Sequence, residues 1–176
     1  MNFRFLHTAD IHLDSPLLNL DRYDGAPVET FRNATRAALE NLVELAVEES
    51  VSFVLIAGDL YDGDCRDFNT PLWFRKKMEE LQASNIRVFI VQGNHDAQNR
   101  TMERAFRLQM PENVHVFRTS KPESVEIKEL QTVIHGQGFA TEDVSENLAD
   151  QFPPPRQGWL NIGLLHTNCG AYREHG

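Results

Sequence analysis

Apolar and polar residues fall into short blocks along this chain, and the blocks carry two different periods. Phe3–Thr8 (FRFLHT) is a largely apolar run that stops at Ala9-Asp10 and predicts a buried first strand. Ser15–Pro27 is rich in turn formers and reads as a loop. From Glu29 to Glu49, Phe31, Ala34, Ala38, Leu42, Leu45 and Ala46 recur at helical spacing, which predicts a long amphipathic helix. Phe53–Ala57 (FVLIA), closed by Gly58, suits a central strand of a parallel sheet. A second helix is expected over Pro71–Ser84, a buried strand over Val88–Val91 before Gly93, and a short helix over Met102–Leu108. Beyond that point Val114–Phe117, Val125–Ile127 and Thr132–His135 are strand candidates with little helix between them, which suggests an antiparallel meander. Gln151–Gly158 (QFPPPRQG) is a Pro-rich surface connector, and Ile162–Leu165 is a last buried strand. Strand–helix alternation followed by short strands indicates an α/β protein with a mixed sheet.

Composition changes this picture only at the margins. A chain of 176 residues, 41% hydrophobic and 24% charged, matches one ordinary globular domain. Its two cysteines, Cys65 and Cys169, form no CxxC pair and read as reduced thiols in a cytoplasmic protein. The N-terminus turns to charge within a few residues, so no signal peptide is expected, and no apolar run approaches a bilayer span. The net charge of −9 works against nonspecific attraction to nucleic acid. Carboxylates that hold cations are offset by them, however, so a DNA substrate stays open.

The chemistry follows the apolar runs. After the first comes Asp10-Ile11-His12, after the second Gly58-Asp59-Leu60-Tyr61-Asp62, and after the third Gly93-Asn94-His95-Asp96; the last delivers His166. In open α/β sheets ligands bind at the carboxyl ends of the strands. Oxygen donors from Asp and Asn, together with imidazoles, suit divalent manganese, iron or zinc. Residues i and i+2 of a strand share a face, so Asp10 and His12 are expected to turn toward one ion. Each element alone has an ordinary explanation as a turn or a solvated histidine. Four of them in order, each after a predicted strand, do not.

At these residues the sequence resembles the calcineurin-like metallophosphoesterases, whose ordered signature is D-x-H, G-D-x-x-D, G-N-H-[DE], a later H and finally G-H-x-H. The resemblance implies a four-layer α/β/β/α sandwich with a dinuclear divalent metal site, manganese first among the candidates. It implies that Asp10 and His12 hold the first metal, that Asp59 bridges both, and that Asn94 and His166 hold the second. His95 would be the catalytic histidine oriented by Asp62, with Asp96 supporting the loop. FRFLHTADIHLDSPL and LLHTNCG are most similar to the bacterial YhaO-like and SbcD-like DNA repair exonucleases, with Asp14-Ser15-Pro16 on the YhaO-like side. That group implies phosphodiester hydrolysis of DNA, with a homodimer and an ATPase partner. Small-molecule phosphodiesterase or phosphomonoesterase activity is the alternative, since one metal site serves them all; an inactive metal-binding fragment is the other.

The final G-H-x-H is not found before Gly176, and His175 does not match it. Residues 1–176 are therefore expected to form the N-terminal part of a phosphoesterase domain that lacks this motif and a capping region. Other residues weigh less. Trp73-Phe74-Arg75-Lys76-Lys77 mixes aromatic and basic character, and is expected to be a half-buried helix with a solvated face. Arg22, Tyr23 and Arg32 flank the first loop, Cys65 lies near the second motif, His7 reads as a core histidine, and His115 and His135 have no evident partners.

Overall fold

A computed structural model describes residues 2–15, 28–62, 69–98 and 110–167. The first sheet contains β1 (Phe5–Thr8), β2 (Phe53–Ala57), β3 (Arg87–Val91) and β4 (Val114–Val116) in that order, all parallel. Helices α1 (Val28–Glu48) and α2 (Asn69–Ala83) connect its strands in sequence, and the short helix α3 (Asn94–Gln98) follows β3. A second sheet contains β5 (Glu123–Ile127), β6 (Thr132–Gln137) and β7 (Leu160–Leu165). In it β5 pairs antiparallel and β7 parallel with β6.

Period-two alternation builds two cores from the same strands. Val54, Ile56, Val88 and Ile90 face the helices, where they meet Leu39, Val43 and Ala46 of α1 and Phe74, Met78 and Leu81 of α2. Phe53, Leu55, Ala57, Phe89 and Val91 face the other way, onto Phe117, Ile127, Ile134 and Leu164 of the second-sheet side. The described residues thus form three layers, helices on sheet on sheet, of the expected α/β sandwich. Phe53, Phe89 and Phe117 are almost wholly buried in that seam. Each contributes about 1.5–3 kcal/mol by removal from water, enough to hold the two sheets in fixed relation.

Four expectations change. β1 is an edge strand among the described residues, half exposed, with Phe5 40% exposed though stacked on Phe53. His7 is correspondingly exposed rather than a core histidine. In α1 the buried stripe is Leu39, Val43 and Ala46, while Ala34, Ala38 and Leu45 stay exposed; the apolar face is rotated from the one the spacing suggested. Finally, no meander forms among the described residues: Val114–Val116 extends the first sheet in parallel, and β5–β6 is the one antiparallel pair there. The expected helix at 102–108, Arg22, Tyr23, Cys65, Cys169 and His175 lie outside the described residues, as does the Arg32 side chain. No helix among the described residues is long and apolar enough to cross a membrane.

Candidate metal centre

β1, β2 and β3 run in one direction, so their carboxyl ends share one edge, and β7 delivers His166 to that edge from the second sheet. Beyond the strands the chain stays paired. Asp10 N–H donates to the Gly58 carbonyl (3.1 Å), His12 N–H to that of Asp59 (3.0 Å) and Leu13 N–H to that of Leu60 (2.8 Å). The first two loops therefore run side by side, with Leu13 fully buried as their anchor.

Three non-glycine residues of this edge hold left-handed backbone: Asp10 (φ 52°), His12 (φ 46°) and Asp59 (φ 50°). Such conformations cost about 1–3 kcal/mol each and persist only where surrounding structure over-determines them. Two glycines make the close approaches. A Cβ on Gly58, itself at φ 83°, would lie 2.5 Å from Nδ1 of His166, and one on Gly93 would lie 2.2 Å from Oδ1 of Asp59. Neither position admits a side chain without displacing a site residue.

The side chains gather into two groups whose nitrogen and carboxylate atoms lie within 4.8 Å of one another: Asp10, Asp59 and His166; and His12, Asp62 and His95. Asp10 and His12 fall in different groups, though both border Asp59, whose Oδ2 lies 4.0 Å from His12 Nε2. Left-handed residues at 10 and 12 break the extended backbone on which the shared face depends. Asp62 lies between two of these rings. Its Oδ1 is 2.6 Å from His12 Nδ1 and 3.3 Å from His95 Nδ1, so one oxygen serves two rings, His12 the more closely. Those rings meet edge to face at 5.1 Å, and the His95 side chain is 40% exposed.

His166 Nδ1–H donates to the Ala57 carbonyl (2.9 Å), which turns Nε2 to the site, as a lone pair in the neutral ring and as an N–H in the charged one. That nitrogen lies 3.2 Å from Asn94 Oδ1 and 3.4 Å from Asp59 Oδ2, while His12 Nε2 lies 4.0 Å from the same Asp59 oxygen. With the His166 ring neutral, its Nε2, His12 Nε2, Asn94 Oδ1 and Asp59 Oδ2 present four lone pairs to one small volume. With bonds of about 2.1 Å, two ligands of one cation sit roughly 3–4.2 Å apart. The donor set fits divalent cations in chemistry and spacing.

Charge follows the same geometry. The hydrogen bond with Asp59 pushes the His166 imidazole up to about 9 against opposing burial, helped by the Ala57 carbonyl and the Asp10 charge. Burial alone would raise the Asp59 carboxyl, but His166 and the His95 N–H donation (3.1 Å) hold it below the usual carboxylate range. A proton therefore occupies the place that suits a cation. Asp96 is buried, and burial raises its carboxyl despite three backbone donors, Leu60 (3.3 Å), Tyr61 (2.9 Å) and Gly93 (3.0 Å). It ties the loop after β2 to the loop after β3.

One contributor had no signal as a ligand. Phe139, two residues beyond β6, lies edge-on to His166 at 5.8 Å, and its N–H donates to the Gln92 carbonyl (2.9 Å). Its place just after a strand, like every other motif, was the only available hint. Trp73 is half buried between Arg36 (5.2 Å) and Lys77 (5.7 Å), and Lys77 and Arg75 pair with glutamates, as expected of a solvated helix face. His135 bonds Ser124 Oγ (2.7 Å) and Asn161 Oδ1 (3.3 Å), and His115 lies 3.6 Å from Glu123, both away from this edge.

Known proteins are similar to this chain in sequence and in fold. The sequence profile of the family described as calcineurin-like phosphoesterase matches residues 3–165. The uncharacterized metallophosphoesterase YhaO of Bacillus subtilis is 30% identical over 174 residues, covering 97% of this chain and 42% of that protein. The DNA double-strand break repair protein Mre11 of Sulfolobus acidocaldarius is 24% identical over 173 residues, 96% of this chain and 42% of that one. Its Archaeoglobus fulgidus counterpart is 35% identical over 101 residues, 55% and 20% of the two chains. The chain spans less than half the length of these relatives. A solved dimetal phosphatase from Danio rerio superposes with a TM-score of 0.50 at 17% identity, covering 83% of this chain and 48% of that one.

Proposed function

The chain belongs to the calcineurin-like phosphoesterase family, and from that premise we propose that its strand-end centre hydrolyses phosphodiester bonds of DNA, as a repair exonuclease. The family makes it a metal-dependent phosphoesterase; the DNA substrate is the finer reading, supported by the YhaO and Mre11 relatives. One observation carries the metal-dependent chemistry: His166, Asn94, Asp59 and His12 turn ligand atoms to one small volume, with the His166 proton standing where a cation would sit. Asp59, touching both groups, would bridge two cations; Asp10 and His12 would complete one side, Asn94 and His166 the other. Divalent cations there, manganese first and iron or zinc next, supply Lewis acidity toward phosphoryl oxygens and lower the pKa of water.

The chain's own groups do the rest. Asp62 fixes the His12 ring so that Nε2 faces Asp59, and it fixes His95 by the same oxygen. His95, exposed at the mouth and held by Nδ1, keeps Nε2 for a proton on its way to the leaving oxygen. Asp96 holds both loops at the spacing this requires. On this reading the enzyme is cytoplasmic and works as a homodimer with an ATPase partner.

The test is His95→Ala, with hydrolysis of end-labelled duplex DNA and of bis-p-nitrophenyl phosphate followed in manganese. The substitution should keep metal binding and lose most turnover, about 10²–10⁴-fold for a general acid. Near wild-type turnover would refute the role of His95. Wild-type activity on the small diester without activity on DNA would place the protein among small-molecule phosphodiesterases. Metal uptake with neither activity would mark an inactive metal-binding chain.

A further inference from the structure

Two residues past His12, Asp14 again holds left-handed backbone (φ 54°), so alternate residues 10, 12 and 14 share that conformation. Its carboxylate touches neither group of candidate ligands in the contacts described above. Instead Oδ1 accepts from Arg36 Nε (2.7 Å), and Oδ2 accepts from Arg36 Nη2 (2.5 Å) and Thr70 Oγ1 (2.6 Å). Its own N–H donates to Thr35 Oγ1 (3.2 Å). Thr35 and Arg36 belong to α1 and Thr70 to the start of α2, where it is fully buried.

We infer that Asp14 is a positioning residue, a clamp that fixes the loop bearing Asp10 and His12 against α1 and α2 at once. A two-pronged guanidinium–carboxylate pair sets orientation as well as distance. Arg36 is itself held, because its guanidinium carbon lies 5.2 Å over the Trp73 ring. Its side chain is about one-third exposed and that of Asp14 only 13% exposed, so the pair is shielded at the end that matters. With Leu13 buried beside it and Ser15 N–H donating to the His12 carbonyl (3.1 Å), the segment 10–15 has little freedom to relax. Three strained residues stay in register because the clamp and the buried leucine hold the far end of the segment.

This inference rests on the reading of Asp10 and His12 as metal ligands. It is tested by calorimetric titration of the chain with manganese(II), alongside melting in EDTA. Asp14→Asn, which keeps the size and loses the fork, should weaken manganese binding by about tenfold, as outer-shell partners of metal ligands do. Thr70→Val, which removes a single donor, should weaken it in the same direction by a smaller factor. With bis-p-nitrophenyl phosphate, Asp14→Asn should lower kcat at saturating metal and leave KM unchanged. A lower melting temperature in EDTA with unchanged manganese affinity in Asp14→Asn would overturn the inference, since a merely structural contact predicts that result. If Asp14→Asn does not fold, unchanged affinity in Thr70→Val overturns it. A wild-type chain that binds manganese but hydrolyses nothing refutes the phosphoesterase reading and leaves the titration to decide the role of Asp14. A chain that takes up no manganese refutes both.

Discussion

Replacing Asp96 by Asn isolates the anchor between two loops at almost constant volume. In the native protein Oδ2 accepts from the backbone N–H groups of Leu60 and Gly93, and Oδ1 from that of Tyr61. An amide has one acceptor oxygen. If it keeps the Leu60 and Gly93 bonds, its NH2 group points at the Tyr61 N–H, donor against donor. A lost hydrogen bond to a charged group is worth about 1.5–3 kcal/mol, and a buried donor left unmet costs about 1–3 kcal/mol. Against this, burial raises the Asp96 carboxyl, so the neutral amide relieves part of the cost of holding a charge inside. The net destabilisation is about 2 kcal/mol, which for a chain of this size lowers the melting temperature by roughly 4–8 °C. Metal affinity should fall as well, because Gly93 precedes Asn94 and Leu60 follows Asp59. Differential scanning calorimetry with manganese titration measures both. A variant melting within 1 °C of wild type, with unchanged affinity, would show that the three bonds do not hold the loops.

Gly93→Ala should abolish tight manganese binding while the protein still folds, since its Cβ would lie 2.2 Å from Asp59 Oδ1; wild-type affinity by calorimetry would refute the close approach. In EDTA, His166 has a folded pKa of about 9 against an ordinary 6.5, so its contribution to stability is complete below about 6.5 and is lost as pH rises through 9. The metal-free protein should therefore lose stability across that window, and a His166→Gln variant should lose less; equal slopes in melting experiments would contradict the assignment. Manganese uptake at pH 7.5 should release a proton from His166, seen as a binding enthalpy that changes with buffer ionisation heat; a buffer-independent enthalpy would argue against it.

The parts legible in sequence are those whose cause is local. FVLIA and VFIV are buried on both faces, so their apolar runs mark β2 and β3 whatever lies around them. β1 looked equally buried, but an edge position depends on what pairs with it, and apolarity does not encode a neighbour. The same limit hid the pairing of β4 with β3, which joins residues 26 positions apart. Helix α3 is five residues, NHDAQ, too short and polar to carry a period. The seven residues picked out by type after strand ends, as candidate ligands and catalytic groups, lie together at one edge. Their left-handed backbone was not legible: at Asp10, His12 and Asp59 it directs side chains in a way no spacing rule anticipates. The Asp14–Arg36 pair, 22 positions apart on a loop and a helix, left no trace in the pattern.

Gly58 and His166 meet across the two sheets, and that contact gives the protein a timetable. Asp10, Asp59 and Asn94 follow strands of the first sheet, and synthesis supplies them early. His166 comes only after β5, β6 and β7 have paired and docked on the Phe53, Phe89 and Phe117 seam. A nascent chain therefore carries an acidic, half-built cluster until β7 emerges, and gains the His166 nitrogen only once the second sheet is seated. Metal capture at this edge would thereby report on docking of the second sheet, and a cation held there would bolt the later layer to the earlier one.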